Sequence, residues 1–222
     1  MDGKFIESRL YETPKTYDAV KCLCYEAKEM GFRSVQVFPC MIATCKEVLE
    51  GSSVAINALI NYPHGGFLIS QKVAEAEEAV ALGADMVEVM INTRAIKRHD
   101  YDYVYKEMES MRKALPQRII VKFIIEMEYL TEEEAIETAK AAAKAGIDYI
   151  STSTGLYHAL DKNRNDVELT ASPEDVKLLK KASDGKVKVQ SVGYISTREI
   201  AEDLLAAGAD MISTEYAMAV MK

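Results

Sequence analysis

The sequence lacks the features that would place it in a membrane, outside the cell or on nucleic acid. Its 222 residues contain no run of 18 apolar residues, so we expect no spanning helix. The N-terminal segment MDGKFIESRL has no apolar core of a signal peptide. A net charge of −8 gives no basic surface for nucleic acid. We therefore expect a cytoplasmic protein with neither nucleic-acid nor membrane partners.

Cysteine is scarce, and no proline- or glycine-rich linker divides the chain. Without an export signal, Cys22, Cys24, Cys40 and Cys45 are expected to be reduced, buried thiols rather than metal ligands. Apolar residues make up 49% and charged residues 28%, which excludes a disordered chain. We expect residues 1–222 to form one domain.

Eight apolar, β-rich runs recur at even spacing. They are Lys4–Ser8, Ser34–Phe38, Val54–Asn61, Met86–Asn92, Ile119–Glu126, Tyr149–Thr154, Val187–Val192 and Met211–Thr214. Amphipathic stretches such as Gln71–Leu82, Glu132–Ala145 and Thr197–Ala207 separate them. This alternation predicts a single TIM (β/α)8 barrel of class α/β.

A weak internal repeat supports the barrel. The segments LGADMV (82–87), AGIDYI (145–150) and AGADMI (207–212) each end a helix with glycine, turn on Asp and enter a strand. An open doubly wound sheet is the alternative fold. It is disfavoured because no glycine-rich dinucleotide fingerprint follows the first strands.

Polar residues that alternate with apolar ones mark the barrel interior, since helices cover the outer face. The ionisable candidates are Glu7, Glu88, Lys122, Glu126, Lys188 and Glu215. With four acids and two lysines, this interior is expected to attract cations rather than anions. A buried ion pair of Lys122 with Glu126 or Glu88, and one of Lys188 with Glu88, are the structural alternatives.

Several segments at the predicted strand ends resemble one known family. These are NYPHG (61–65), ADMVEV (84–89), Arg94-Ala95, KFIIE (122–126), DYISTSTG (148–155) and GAD (208–210), in that order. They resemble deoxyribose-phosphate aldolase over nearly the whole chain. The resemblance implies a TIM barrel and a class I lyase that splits 2-deoxyribose 5-phosphate through a lysine Schiff base, without a cofactor.

The chain departs from that family where its chemistry lies. Ser151 stands at the Schiff-base lysine position, Gln190 at the second lysine position, and Glu88 at the aspartate position. A serine hydroxyl cannot form an iminium, and an amide carries no positive charge. The resemblance retains Lys122, Glu126, Thr152, Thr154 and Gly155.

The phosphate-binding turns of the family are altered as well. Gly155 and Gly193 remain, but Tyr194 replaces a second glycine and Glu215 replaces a serine. A carboxylate 4 Å from a phosphate charge costs about 4 kcal/mol at an effective dielectric of 20. We expect this site not to hold phosphate in the family's way, unless Lys162 and Arg164 of the loop at 155–172 close over it as a lid.

We therefore predict a carbon–carbon lyase for a small sugar or carbonyl compound, in the form of a homo-oligomer. The predicted catalytic residues are Glu88, Lys122 and Glu126, and the predicted substrate-binding residues are Asn61, Arg94, Ser151, Thr152, Gly155, Gln190, Gly193 and Glu215. A Schiff base relocated to Lys122 or Lys188 is one variant of this mechanism.

Other functions also fit these residues. No cofactor is predicted, although a divalent metal on His64, Glu88 and Glu126 is an alternative. A proton-transfer isomerase or epimerase needs only an acid/base such as Glu88 with Lys122. A non-catalytic paralogue that binds a metabolite is the third possibility, although its lumen would be free to become apolar.

Overall fold

The computed structural model describes residues 1–10, 16–156, 158–160, 166–168 and 172–222, with 158–160 and 166–168 as backbone. The strands are β1 Ile6–Arg9, β2 Ser34–Val37, β3 Ala55–Ile60, β4 Met86–Met90, β5 Ile120–Ile124, β6 Tyr149–Ser151, β7 His158–Leu160, β8 Asp166–Glu168, β9 Lys188–Val192 and β10 Met211–Thr214. Eight of them close into a barrel in the order β1-β10-β9-β6-β5-β4-β3-β2, with every neighbour parallel. This confirms the predicted TIM barrel.

Helices alternate with these strands and cover the outside of the barrel. They are α1 Tyr17–Met30, α2 Ile42–Leu49, α3 Ile69–Leu82, α4 Thr93–Lys97, α5 Tyr101–Ala114, α6 Glu132–Ala145, α7 Pro173–Ala182, α8 Arg198–Ala206 and α9 Ala217–Met221. Short 3-10 turns lie at Gly3–Phe5, Pro39–Met41 and Met127–Tyr129. Outward residues of the strands, such as Val87 and Phe123, are fully buried in the core beneath the helices.

Most predicted strands are longer than the observed ones. The first begins at Ile6 rather than Lys4, because Gly3–Phe5 forms a 3-10 turn that Asp2 caps. The sixth ends at Ser151 rather than Thr154, because the following residues leave the sheet. The long loop after β6 contains the antiparallel pair β7–β8. Tyr157, Lys162 and Arg164 lie outside the described residues.

The Asp of each repeat has a structural role that its spacing did not reveal. Asp85, Asp148 and Asp210 stand just before β4, β6 and β10. Each carboxylate accepts the backbone N–H of a residue on the neighbouring strand, at 3.0, 2.9 and 2.8 Å respectively. The repeat therefore supplies a hydrogen bond where each strand enters the barrel.

Two cysteines differ from expectation. All four are free thiols, as predicted, but Cys22 and Cys40 are exposed and only Cys24 and Cys45 are buried. Cys22 lies on the solvent face of the 14-residue helix α1, opposite the buried face that carries Cys24, and Cys40 lies in the 3-10 turn Pro39–Met41. No helix among the described residues is long and apolar enough to cross a bilayer.

Candidate active site

The barrel interior contains a layer of polar side chains at mid-height, which we call the polar layer. Its members are Glu7, Ser34, Gln36, Asn57, Glu88, Lys122, Ser151, Gln190 and Ser213, each at most 1% exposed. They point inward because the alternate positions of each strand are apolar and face the helices. The polar layer thus brings together Glu88, Ser151 and Gln190, the three positions at which the sequence is expected to depart from the family it resembles.

Lys122 is the positive charge of the polar layer. Its Nζ lies 2.8 Å from Oε2 of Glu7 and donates to Oε1 of Gln190 at 2.6 Å, whereas Oε2 of Glu88 is 3.8 Å away. Burial raises the pKa of Glu7, but Lys122 and two serine hydroxyls outweigh it, so the pKa lies below its usual value. The main partner of Lys122 is therefore Glu7, because Glu7 reaches it across the lumen and Glu126 does not.

Glu88 is held by amide groups. Its Oε2 accepts hydrogen bonds from Gln36 at 2.5 Å and Asn57 at 2.7 Å, and Gln190 donates to both carboxylate oxygens at 3.1–3.2 Å. The same Gln190 amide donates to Ser151 Oγ at 2.9 Å. The amide donors satisfy the oxygens of Glu88, but they carry no charge, so the expected preference of this interior for cations stays a prediction.

An apolar layer lies directly above the polar layer, toward the carboxyl ends of the strands. It consists of Leu59, Met90 and Ile124, packed with Phe38 and Tyr62. The first three are at most 3% exposed. Each follows a member of the polar layer by two residues on the same face of its strand. The apolar layer therefore covers the polar layer toward the barrel opening on the β2–β5 side.

A cavity of about 690 Å³ opens above the apolar layer, and we call it the mouth cavity. It is lined by Pro63, His64, Met90, Thr93, Arg94, Lys97, Arg98, Glu126, Tyr129, Thr154 and Leu156. Apart from Met90, the last residue of β4, these residues follow β3, β4, β5 and β6, at the end of the barrel where TIM-barrel active sites lie. Of the predicted catalytic and substrate-binding residues, Arg94 and Glu126 line this cavity together, and His64 of the metal alternative lines it too.

Glu126 follows β5 in a left-handed backbone conformation with φ of 57°, which turns the chain sharply. Its Oε1 accepts from Ser153 Oγ at 3.0 Å and from the N–H and hydroxyl of Thr154 at 2.7 and 3.0 Å. Burial nevertheless raises the pKa of Glu126 above its ordinary value. A fixed carboxyl of raised pKa at a cavity wall is suited to proton transfer.

Three cations reach the mouth cavity from one turn of chain. Arg94 and Lys97 lie on α4, and Arg98 caps its end. Lys97 Nζ pairs with Glu134 at 2.7 Å and donates to the carbonyl of Tyr129 at 3.0 Å. Lys97 and Arg98 were not predicted from the sequence, although their positions three and four residues after Arg94 place all three near one helix face.

Asn61 shapes the loop that carries His64. Its backbone has φ of 52°, its N–H donates to Glu75 at 2.9 Å, and its Oδ1 accepts from the N–H of Phe67 at 3.2 Å. Within that loop a Cβ on Gly65 would lie 2.0 Å from the carbonyl oxygen of Ile91, so only glycine fits. Asn61, predicted to bind substrate, thus already uses its side-chain Oδ1 within the loop.

The opposite side of the barrel mouth carries the turns to which the resemblance assigns phosphate binding. The Tyr194 ring lies edge-on to Tyr216 with centroids 5.0 Å apart, beside Gly193. The N–H of Gly155 donates to Ser153 Oγ at 3.0 Å. Glu215 lines a separate cleft of about 550 Å³ against α1. This side therefore presents aromatic rings where the resemblance implies a phosphate site.

Thr152 joins two strand ends rather than pointing into a cavity. Its hydroxyl donates to the carbonyl of Val192 at 3.3 Å and accepts from the Val192 N–H at 3.0 Å. Lys188 is also displaced from its predicted place. It is exposed at the amino end of β9, 5.3 Å from the Tyr149 ring centroid, and does not pair with Glu88 because it enters below the polar layer.

The predicted metal set is not brought together. Among the described residues no group of three or more His, Cys, Asp or Glu side chains is arranged to hold a metal ion. His64 and Glu126 line the mouth cavity, whereas Glu88 lies in the polar layer beneath it. The apolar layer separates the candidates, which overturns the metal alternative for this trio.

Comparisons with known proteins point to one family. Residues 3–190 match the model of the DeoC/LacD family aldolases. A deoxyribose-phosphate aldolase from Thermoanaerobacter sp. (strain X514) is 35% identical over 99% of this chain and 95% of its own length. One from Clostridium novyi is 32% identical over 99% and 95%. The tetrameric structure of deoxyribose phosphate aldolase from Aeropyrum pernix superposes with a TM-score of 0.86 at 25% identity, covering 99% of this chain and 88% of that one.

Proposed function

Because the chain belongs to the DeoC/LacD family of aldolases, we propose that it is a carbon–carbon lyase whose small sugar or carbonyl substrate binds in the mouth cavity. One observation carries the proposal: Glu126 and the cations of the α4 turn line the same cavity at the carboxyl ends of the strands. Class I relatives use a protein side chain rather than a metal, so the proposal includes no cofactor.

Glu126 moves the proton. In the cleavage direction its carboxylate takes the proton of the hydroxyl β to the substrate carbonyl, the carbon–carbon bond breaks, and the electron pair passes to the carbonyl oxygen as an enolate. Glu126 then returns the proton to the enolate carbon. Lys97 has one N–H beyond those given to Glu134 and Tyr129, and this N–H stabilises the enolate oxygen.

The polar layer supports the site without forming an iminium. Ser151 and Gln190 carry no amine, and Lys122 is fully buried with Glu7 beneath the apolar layer. Glu88, predicted to be the acid/base, is held in the same buried layer by amide donors. Proton transfer is therefore assigned to Glu126, the carboxyl that lines the cavity.

The test is carbon–carbon bond formation with glyceraldehyde 3-phosphate as acceptor and acetaldehyde, hydroxyacetone, dihydroxyacetone and pyruvate as donors, followed by mass spectrometry. The wild type should give a product whose carbons are the sum of both reactants. Glu126→Gln should lower the rate by about 100-fold or more, since the amide cannot exchange protons. The rate should rise with pH through a pKa above that of an ordinary glutamate.

Glu77→Gln, which removes an exposed acid on α3, is the matched control and should keep the wild-type rate. Borohydride added during turnover should leave no mass adduct on the protein. A reducible adduct would instead assign the chemistry to a lysine, and a wild-type rate in Glu126→Gln would remove Glu126 from the mechanism.

An isomerase or epimerase is the second candidate. It is favoured by the raised pKa of Glu126, because proton transfer next to a carbonyl requires an acid/base and no amine. The two candidates differ in their products: a lyase changes the number of carbons per molecule, whereas an isomerase exchanges solvent deuterium into a substrate of unchanged composition.

We also propose that the chain works in the cytoplasm as a homo-oligomer. The support for an oligomer is that the Aeropyrum pernix relative is described as tetrameric. Light scattering on the purified protein tests this part, and a mass of one 24.7 kDa chain would contradict it.

A further inference from the structure

Two arginines at the mouth cavity have no acidic partner among the described residues. Arg94 and Arg98 lie four residues apart at the α4 turn and both line the cavity, whereas the neighbouring Lys97 is paired with Glu134. A guanidinium presents a planar fork of donors that matches a carboxylate or a phosphate. The side of the cavity formed by α4 therefore carries uncompensated positive charge suited to an oxyanion.

A second, adjoining cavity of about 510 Å³ shares two of these residues. It is lined by His64, Gly66, Asn92 and Arg94. A Cβ on Gly66 would lie 3.5 Å from Nη1 of Arg94, so the loop runs close beside this guanidinium. The Oδ1 atom of Asn92 is buried and has no hydrogen-bond partner in the described part of the chain. A ligand hydroxyl could satisfy that oxygen.

The other side of the barrel mouth is less suited to an anion. The rings of Tyr194 and Tyr216 occupy it, and the N–H of Gly155 is engaged by Ser153. The cleft nearby contains the carboxylates of Glu26 and Glu215 together with Arg9, whose guanidinium donates to the carbonyl of Thr154. Arg94 and Arg98 lie on the β3–β4 side, and Asn92 Oδ1, which has no hydrogen-bond partner among the described residues, lies on that same side.

We propose that Arg94 and Arg98 bind the oxyanion of a substrate that also donates a hydroxyl to Asn92. The ligand class is an anionic polyhydroxy carbonyl compound, either a phosphorylated sugar or a sugar acid. This inference rests on the proposed function for the carbonyl, but the anion site itself is a matter of binding. The proposed site places the anionic end of the substrate at the α4 turn rather than at the turns of Gly155 and Gly193.

Calorimetric titration tests the site with inorganic phosphate, glycerol 3-phosphate and glycerate, at constant ionic strength. At least one of these anions should bind saturably. Arg94→Gln and Arg98→Gln should each weaken that binding by about tenfold or more, as expected for a lost charge-assisted hydrogen bond. Asn92→Ala should weaken binding of glycerol 3-phosphate more than that of inorganic phosphate, which has no carbon-bound hydroxyl.

Arg118→Gln is the matched control, because it removes an exposed arginine between α5 and β5, at the opposite end of the barrel. It should change the affinity by less than about twofold. Circular dichroism shows whether each variant is folded. Preference for phosphate or for glycerate identifies which oxyanion the site takes.

Equal affinity in Arg94→Gln, Arg98→Gln and Arg118→Gln, or no saturable binding of any of the three anions, would overturn the site. The outcomes separate this inference from the proposed function. Arginine-dependent binding without carbon–carbon bond formation keeps the site and removes the lyase. Turnover unaffected in both arginine variants keeps the lyase and removes the site.

Discussion

Glu128 is a carboxylate near the site with fewer stabilising partners among the described residues than the other carboxylates there. Both of its side-chain oxygens are buried without a hydrogen-bond partner among the described residues. Burial, with the nearby charges of Glu126 and Asp175, raises its pKa to about 7. Since an unfolded glutamate titrates near 4.3, the folded state keeps this proton over a range in which the unfolded state has lost it. Glu128 therefore opposes folding as the pH rises from about 4.5 to 7.

Glu128→Gln should remove this pH-dependent loss of stability. At pH 8 its free energy of unfolding should exceed that of the wild type by about 1–3 kcal/mol, because the amide carries no charge to desolvate. At pH 5 the difference should nearly vanish, since Glu128 is then protonated in the folded state. Urea denaturation at the two pH values measures both, with the exposed Glu77→Gln as control. An equal effect at both pH values would show that the charge of Glu128 is not its cause.

At the scale of elements, a buried ion pair holds the α4 turn in place. Lys72 of α3 and Glu107 of α5 pair with both side chains 1% exposed. Lys72 also donates to the carbonyl of Met90 at 2.7 Å, and Glu107 accepts the N–H of Asn92 at 3.2 Å. The pair thus joins two helices to the end of β4, from which the chain enters the turn that carries Arg94.

Lys72→Met should destabilise the protein by about 3–5 kcal/mol, because it leaves Glu107 buried without its cation. The double variant Lys72→Met with Glu107→Leu should recover part of that loss by replacing the charges with packed apolar groups. Lys113→Met, which breaks an exposed pair with Glu109, should cost less than about 1 kcal/mol. Chemical denaturation of the three variants measures these differences, and equal costs for Lys72→Met and Lys113→Met would contradict the role of the buried pair.

Local signals predicted the elements well where both ends of an element are marked. The predicted helix Glu132–Ala145 has the observed limits, because Thr131 and Glu134 form the capping box and Gly146 takes the left-handed conformation at its end. Strand ends were predicted less well, since they depend on contacts between loops. Thr152 lies beyond β6 because its hydroxyl binds the backbone of Val192, 40 residues later. No local pattern contains that information.

The whole molecule explains why the barrel could be predicted and much of the site could not. Inward parity correctly placed Glu88, Lys122 and Gln190 in one layer, because it follows from strand geometry and helix cover alone. The partner of each charged side chain depends on which groups it can contact across the lumen. Strand parity does not contain that information, and Glu7 was therefore not predicted as the partner of Lys122. Access of a substrate to the polar layer depends on the apolar layer above it, in which Met90 and Ile124 cover polar side chains.

The closed polar layer leads to a prediction about placing a lysine at position 151, where the resemblance implies a Schiff-base lysine. The Ser151 side chain is fully buried and accepts a hydrogen bond from Gln190, so a lysine there would be overpacked and would lie in the same layer as the charge of Lys122. Ser151→Lys should therefore lose about 3 kcal/mol or more of unfolding free energy, whereas Ser151→Ala should lose about 1 kcal/mol. Turnover of 2-deoxyribose 5-phosphate should stay at background in the wild type and in both variants, because Gln190 supplies no second amine and position 151 is fully buried. Denaturation and a coupled aldehyde assay measure the two effects.

A stable Ser151→Lys protein that cleaves the sugar phosphate and forms a borohydride-reducible adduct would show that substrate reaches the polar layer. The reaction would then have to be placed there rather than in the mouth cavity.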